Sequence, residues 1–266
     1  MRFFVKLTLF FVLITASLVL HAKPKGKFPA ATTELTFNSH GKRISGFVYM
    51  AKGQGPHPTV LLLHGYPGNE KNLDVAQALR KNGWNVAFFH YRGAWGSEGE
   101  FSFINAEQDV QAVLNYLSDS ANAKTLRVDP NRISTVGHSM GGHMAIAGIL
   151  DNPAVNCAVA FDGANLGASG VGFINDPNTD IPWKEYSDSL FMLKGWSGDK
   201  AVNETKTFAK QLDLTLRANQ ISGRSVLLIG ANTKVIPHEL HIAPLLKALK
   251  ATKNSQVSFQ LIDDDH

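Results

Sequence analysis

Ser139 lies in the stretch of this chain whose residue types most clearly allow covalent chemistry. Gly137-His138-Ser139-Met140-Gly141 matches the pattern G-x-S-x-G, with an apolar run before it and a small-residue helical pattern after it. A strand that turns straight into a helix needs residues without side chains at the crossing, which Gly137 and Gly141 supply. The turn is expected to expose the Ser139 hydroxyl at a helix N-terminus, where the helix dipole favours negative charge. The pattern therefore predicts a nucleophile.

Three histidines lie close to this serine or to a second strand-to-helix turn. His64 and Gly65 follow an apolar run within LLLHGYPGNEKN, residues 61–72. We interpret His64 as a turn residue rather than a catalytic one. His138 and His143 flank Ser139, and the tight turn is expected to point both imidazoles away from it.

The elements that must position these residues alternate between strand and helix. The residues around SHGK, at 39–42, alternate in polarity and predict an edge hairpin. A continuous apolar run typical of a buried parallel strand occupies residues 59–64, and further strands are predicted at residues 85–91, 132–138, 156–163, 225–231 and 257–262. Helical patterns occupy residues 73–83, 106–117, 140–150 and 239–251. The order predicts an α/β fold, with a mostly parallel, twisted sheet of about eight strands and helices on both faces.

The chain resembles secreted bacterial α/β-hydrolases of the dienelactone-hydrolase and prolyl-oligopeptidase-like group. The resemblance spans roughly residues 33–266 and is carried by HGYPGN (64–69), FFHYRGAWGSEGEFS (88–102), RISTVGHSMGGHMA (132–145) and the terminal DDDH. It implies the α/β-hydrolase fold for residues 32–266. We interpret Arg92 and Asp109 as structural residues that form an ion pair.

The resemblance also implies the roles of further site residues. The backbone N–H groups of Tyr66 and Met140 would hold an oxyanion beside Ser139. His266, which follows the last predicted strand, would be the general base.

The triad acid is where this sequence departs from the resemblance. The turn after the seventh strand reads GANTKVIP at 230–237, and Thr233 stands where relatives carry an aspartate. A threonine cannot supply the negative charge that stabilises an imidazolium. We favour Asp162, at the end of the sixth strand. The alternatives are Asn232, Asp264 and Asp265.

Residues 164–222 do not follow the strand–helix alternation. We interpret them as a cap-like insert over the carboxyl ends of the strands, where ligands bind in this architecture. Its aromatic residues would line a substrate pocket or form the insert's own core: Phe173, Trp183, Phe191 and Trp196. Relatives also continue past the histidine into a helix that is missing here, so a fragment or a fragile product is expected.

The first 22 residues have the composition of a signal peptide. Arg2 and Lys6 precede a short apolar run from Leu7 to Leu20, and Ala22 is a small residue at the expected cleavage point. An uncleaved membrane anchor is the alternative, although the run is short for a span. Residues 23–31 are interpreted as a linker. We therefore expect a periplasmic or secreted protein without membrane contact after cleavage.

Composition limits the partners and cofactors. The 266 residues are 44% hydrophobic and 18% charged, which is typical of one large globular domain. The net charge of +4 is scattered along the chain, which does not favour nucleic-acid binding. Neither H-E-x-x-H nor G-x-G-x-x-G occurs, so we expect no metal and no cofactor.

These observations predict a serine hydrolase that cleaves a small-molecule carboxyl ester. Two alternatives stay open. One is an aminopeptidase-like or amide-cleaving activity, and the other is an impaired hydrolase-fold binding protein, suggested by Thr233. The sequence does not indicate an oligomeric state.

Overall fold

The structure is a computed structural model that describes residues 27–221, 223–252 and 256–266. The predicted signal peptide, residues 1–22, and the first part of the predicted linker lie outside the described residues. No helix among the described residues has the length and the apolar character needed to cross a membrane.

The strands follow the predicted order along the chain. They are β1 Ala31–Ser39, β2 Lys42–Met50, β3 His57–Leu63, β4 Asn85–Phe89, β5 Val128–His138, β6 Val155–Phe161, β7 Ser225–Ala231 and β8 Gln256–Ile262. The helices that pack on the sheet or connect its strands are α1 Leu73–Lys81, α2 Phe103–Ser118, α3 Ser120–Leu126, α4 Met140–Asp151 and α10 His238–Ala251. The segment between β6 and β7 holds α5 Leu166–Asn175, α6 Ile181–Asp188, α7 Gly198–Thr207, α8 Ala209–Leu212 and α9 Leu214–Arg217.

All eight described strands form one sheet in the order β1-β2-β4-β3-β5-β6-β7-β8. The β1–β2 and β2–β4 pairs are antiparallel, and every later pair is parallel. The predicted hairpin is confirmed: β1 and β2 are joined at His40 and Gly41, whose φ angles of 48° and 77° suit a tight two-residue turn. The predicted fold class, a mostly parallel α/β sheet, is also confirmed.

The two faces of the sheet are covered by different helices. Leu61 and Leu63 of β3 belong to the larger apolar cluster, which includes residues of α2, α4 and α10. Val60 and Leu62 point to the opposite face and pack with Ala76 of α1. Because both faces of β3 are covered, its sequence is apolar at consecutive positions rather than alternating.

The parallel register brings the carboxyl ends of four strands together. His138 of β5 lies opposite Phe161 of β6, Phe161 lies opposite Ile229 of β7, and Ala231 lies opposite Ile262 of β8. Residues that directly follow these strands therefore meet at one edge of the sheet, next to the helices of the 164–222 segment.

Candidate active site

Ser139 occupies a sharp turn between β5 and α4. Its φ and ψ angles are 57° and −122°, a strained combination for a residue with a side chain. A Cβ added at Gly137 would overlap the carbonyl of Gly141, and one added at Gly141 would overlap the carbonyl of Leu63. The Ser139 N–H donates to the Phe161 carbonyl at 2.9 Å, which ties the turn to the neighbouring strand. This is the geometry that the sequence pattern predicts.

His266 lies between Ser139 and Asp162. Its Nε2 is 3.1 Å from Ser139 Oγ, and its Nδ1 is 2.5 Å from Asp162 Oδ2. The side chain of Asp162 is 5% exposed and that of His266 is 22% exposed, so the contact is largely shielded from water. The structure thus brings together the three side chains that the sequence analysis favoured.

Asp162 is held by the neighbouring strand β7. It follows β6 directly, and its N–H donates to the Ile229 carbonyl at 2.7 Å. Its Oδ1 accepts the N–H of Ala231 at 3.2 Å, and its Oδ2 faces His266. The side chain is therefore oriented by β7, the strand after which relatives were expected to carry the acid.

The other acid candidates lie elsewhere. Asn232 is exposed, and its N–H donates to the Ile262 carbonyl at 3.2 Å. Asp264 and Asp265 are exposed, and Asp264 accepts the N–H of Asp265. Thr233, at the expected acid position, has a buried hydroxyl without a hydrogen-bond partner among the described residues.

The turn after β3 lies against the candidate nucleophile. A Cβ added at Gly65 would be 3.2 Å from Ser139 Cβ and 3.7 Å from its Oγ, so a side chain here would crowd Ser139. Tyr66 follows it, and Met140 is the first residue of α4. Neither of their backbone N–H groups donates to another residue in the part of the chain that the structure describes. Both are available to an oxyanion on a substrate bound at Ser139.

Two histidines near the site differ in their roles. His143 is fully buried, and its Nε2 lies 2.8 Å from Glu107 Oε1, so this imidazole has its partner away from Ser139. His138 was also expected to point away from the site, but its ring packs on that of His266, with centroids 4.6 Å apart. Burial and the neighbouring His266 lower the pKa of His138, which keeps a second positive charge away from His266.

A cavity of about 440 Å³ opens beside Ser139, and its wall is mainly apolar. The residues that line it include Leu166, Trp183, Tyr186 and Ile236. Of the four aromatic residues singled out in the insert, Trp183 lines this cavity. Phe173 is 8% exposed and packs against Trp183, whereas Phe191 is 90% exposed and does not line the cavity, so that part of the pocket interpretation is wrong.

Tyr66 connects the turn after β3 to the insert. Its hydroxyl donates to Ser187 Oγ at 2.9 Å and accepts the Trp196 indole N–H at 2.6 Å. Its ring stacks on Trp183 with centroids 5.3 Å apart, and the Tyr186 hydroxyl donates to its carbonyl at 3.2 Å. Burial raises the pKa of Tyr66 to about 12, so the hydroxyl stays protonated. Trp196 thus holds the insert to Tyr66 rather than lining the cavity.

Two further features bear on the predicted site. The Arg92 guanidinium lies 2.7 Å from Asp109 inside the protein, and the pair holds the chain after β4 against α2, away from Ser139.

Among the described residues, no group of three or more His, Cys, Asp or Glu side chains could hold a metal ion.

Comparisons with known proteins agree with this architecture. Residues 47–165 match the family model BD-FAE. A Rickettsia prowazekii protein is 30% identical over 46% of this chain and 52% of its own length. The quorum-quenching protein AidA of Acinetobacter baumannii is 27% identical over 49% of this chain and 43% of its own length. The chain therefore spans about half the length of the curated relatives it matches.

Solved structures match over a longer part of the chain. An acylaminoacyl peptidase of Pyrococcus horikoshii has a TM-score of 0.64 and 17% identity, with 92% of this chain and 38% of the peptidase covered. An esterase of Pyrococcus furiosus has a TM-score of 0.63 and 21% identity, with 89% of this chain and 84% of the esterase covered. At these identities the likeness shows the fold. The described chain has the α/β-hydrolase fold, and residues 47–165 within it match the BD-FAE family model.

Proposed function

We propose that this protein is a serine hydrolase that cleaves carboxyl esters through a covalent acyl-enzyme. The observation that carries the proposal is the continuous contact from Ser139 Oγ through His266 to Asp162, with distances of 3.1 and 2.5 Å. A serine hydroxyl is a weak nucleophile unless an adjacent base removes its proton during attack. His266 is placed to do this, and Asp162 to stabilise the imidazolium that results.

The acylation step follows from this arrangement. Ser139 Oγ attacks the ester carbonyl carbon while its proton passes to Nε2 of His266. The carbonyl oxygen becomes an oxyanion and accepts hydrogen bonds from the N–H groups of Tyr66 and Met140. When the intermediate collapses, His266 returns the proton to the alcohol oxygen, and the bond between carbonyl carbon and alcohol breaks.

Deacylation repeats the same steps with water. His266 takes a proton from the water as the water oxygen attacks the acyl carbon. The second tetrahedral intermediate collapses, the proton returns to Ser139 Oγ, and the carboxylic acid leaves. His266 alone carries the proton between these groups, and Asp162 only accepts a hydrogen bond throughout.

The apolar cavity beside Ser139 indicates the kind of substrate. Its volume of about 440 Å³ suits an apolar group of small to medium size, and Trp183 and Leu166 provide the apolar wall. The insert closes one side of this space through its contacts with Tyr66, which favours small-molecule esters over long peptides.

Two other functions were open from the sequence. Impaired catalysis was suggested by Thr233, and the Asp162 carboxylate beside His266 supports a working triad over that alternative. Amide cleavage uses the same groups and differs in its leaving group, which has to be protonated before the carbon–nitrogen bond breaks.

Export through residues 1–22 remains part of the proposal, and the mature N-terminus of the expressed protein would test it.

Turnover of a panel of p-nitrophenyl esters and p-nitroanilides tests the proposal. We expect ester hydrolysis that exceeds anilide hydrolysis, and a loss of kcat by at least about 10³-fold in Ser139→Ala. Equal ester turnover in Ser139→Ala and wild type would contradict the proposal. A preference for anilides would favour the amide-cleaving alternative.

A further inference from the structure

Two imidazoles lie behind the turn that carries the Tyr66 N–H. His64 ends the β3 region and is 1% exposed, and its Nδ1 lies 2.8 Å from the carbonyl oxygen of Gly65. His90 follows β4, and its Nδ1 lies 3.3 Å from Nε2 of His64. A Cβ added at Gly68 would overlap the His64 ring, so the turn closes tightly over it. The contacts form a continuous line from His90 to the Gly65 carbonyl.

Both imidazoles are neutral near pH 7, which determines which nitrogen donates and which accepts in each hydrogen bond. Burial, with a smaller contribution from His90, lowers the pKa of His64 to about 3. Burial, with a smaller contribution from Lys71, lowers the pKa of His90 to about 4. A carbonyl oxygen only accepts, so His64 carries its proton on Nδ1 and accepts at Nε2. His90 must therefore donate from its own Nδ1.

The line ends on the peptide unit that matters to the proposed reaction. The Gly65 carbonyl and the Tyr66 N–H belong to one planar trans peptide, in which the two groups point in opposite directions. A hydrogen bond that fixes the carbonyl therefore also fixes the N–H. Gly65 lies directly against Ser139, so a small rotation of this peptide would turn the N–H away from a substrate oxyanion.

We propose that His90 is a positioning residue for the oxyanion site, acting through His64 on the peptide between Gly65 and Tyr66. It touches neither substrate nor Ser139 in this role. The inference rests on the proposed serine-hydrolase function and extends it to a residue of a different strand. Removal of a whole oxyanion donor costs about 10²–10³ in kcat, so a donor that is only misaligned should cost about tenfold or more.

A role in packing alone must be separated from this one, because the His90 ring also contacts Phe88 and Trp95. Three substitutions make the separation. His90→Phe keeps a ring and loses the donor. His90→Asn loses the ring and keeps an amide near the Nδ1 position. His90→Gln keeps an amide but places it nearer the Nε2 position, away from His64.

The test measures kcat and KM on a p-nitrophenyl ester together with the Ki of a trifluoromethyl ketone, which forms a tetrahedral oxyanion adduct with a serine. We expect kcat to fall by about tenfold or more in His90→Phe and His90→Gln, with KM within about twofold. The Ki should rise by a similar factor. In His90→Asn, kcat and Ki should stay within about threefold of wild type.

The opposite pattern would overturn the inference: wild-type kinetics in His90→Phe, or an equal loss in His90→Asn and His90→Gln. If His90→Phe does not fold, the comparison of Asn with Gln carries the test alone. Failure of the proposed function would be seen in the wild type itself, which would then neither hydrolyse the ester nor bind the ketone. That result would overturn both proposals, whereas an active wild type matched by His90→Phe overturns only this one.

Discussion

Asp162 shows how a single residue is committed to one orientation. Its φ angle of 40° is a left-handed value that few residues with side chains adopt, although aspartate is among those that tolerate it. One carboxylate oxygen accepts the Ala231 N–H, and the other faces His266 Nδ1. The strained backbone and the two contacts hold this carboxylate beside the His266 imidazole, as the proposed role of Asp162 requires.

If Asp162 is the triad acid, substitutions at Asp162 and at Asn232 should have very different effects on kcat. Asp162→Asn should lower kcat for ester hydrolysis by about 10³–10⁴-fold, because an amide cannot compensate the imidazolium charge. Asn232→Ala is the matched control, and it should change kcat by less than about twofold since Asn232 is exposed. Steady-state kinetics on one ester would compare the two, and an equal effect of both substitutions would exclude Asp162 as the acid.

The residues of the site differ in how far the sequence could predict them. Ser139 and its glycines form a contiguous pattern whose turn geometry follows from local sterics. His266 and Asp162 follow different strands, so their meeting depends on the register of β6, β7 and β8, and only the resemblance suggested it. The line from His90 to Gly65 was missed. Its one signal was a histidine at the carboxyl end of a predicted parallel strand, FFHY, where ligands bind in this architecture.

At the scale of elements, the turn from β5 to α4 brings three segments into backbone contact. Gly137 faces Gly141, and Gly141 faces the end of β3. Helix α4 is buried along nearly its whole length, and its glycines and alanines allow this close approach to the sheet. The turn is thus a packing junction as well as the support of Ser139.

A methyl group at this junction should destabilise the fold. Gly137→Ala should lower the free energy of unfolding by about 1–3 kcal/mol or more, because the added Cβ has no room. Gly172→Ala is the control, since Gly172 lies in α5 with open space around it. Alanine there should raise the free energy of unfolding by up to about 1 kcal/mol. Urea denaturation measures both, and a Gly137→Ala protein as stable as wild type would refute the packing argument.

The predicted elements agree with the structure where one physical signal dominates. Strand β3 is covered on both faces and appears as a continuous apolar run, and its predicted range of 59–64 overlaps the observed His57–Leu63. The insert was harder to predict, because residues 203–220 have a helical pattern but form shorter pieces. Helix α8 ends at Leu212, and the Asp213 side chain accepts the Thr215 N–H to start α9. A local capping contact competes there with the periodic pattern.

At the scale of the whole molecule, buried neutral histidines couple the fold to pH. The pKa values of His64 and His90 are lowered to about 3 and 4 by burial, and burial also lowers the pKa values of His138 and His241. Between about pH 4 and 6.5 the unfolded chain binds protons that the folded chain does not. Stability therefore falls as the pH decreases through this window.

This linkage predicts that the free energy of unfolding is lower at pH 5 than at pH 7. Each such imidazole contributes at most about 1.4 kcal/mol per pH unit. In His90→Asn the free energy of unfolding should fall by about 1 kcal/mol less between pH 7 and pH 5 than it does in the wild type, a value that allows for the partial exposure of His90. Urea denaturation at the two pH values measures the difference, and an identical loss in both proteins would show that His90 is not buried as a neutral imidazole.

The central claim is that Ser139 is a nucleophile activated by His266. Labelling of the folded protein with a fluorophosphonate, followed by peptide mass spectrometry, tests this most directly because the reagent reacts with an activated serine much faster than with an ordinary hydroxyl. We predict one adduct per chain on the peptide that contains Ser139, and labelling slowed by at least about 10²-fold in His266→Ala. Folded wild-type protein that stays unlabelled, or carries the adduct on another residue, would contradict the account.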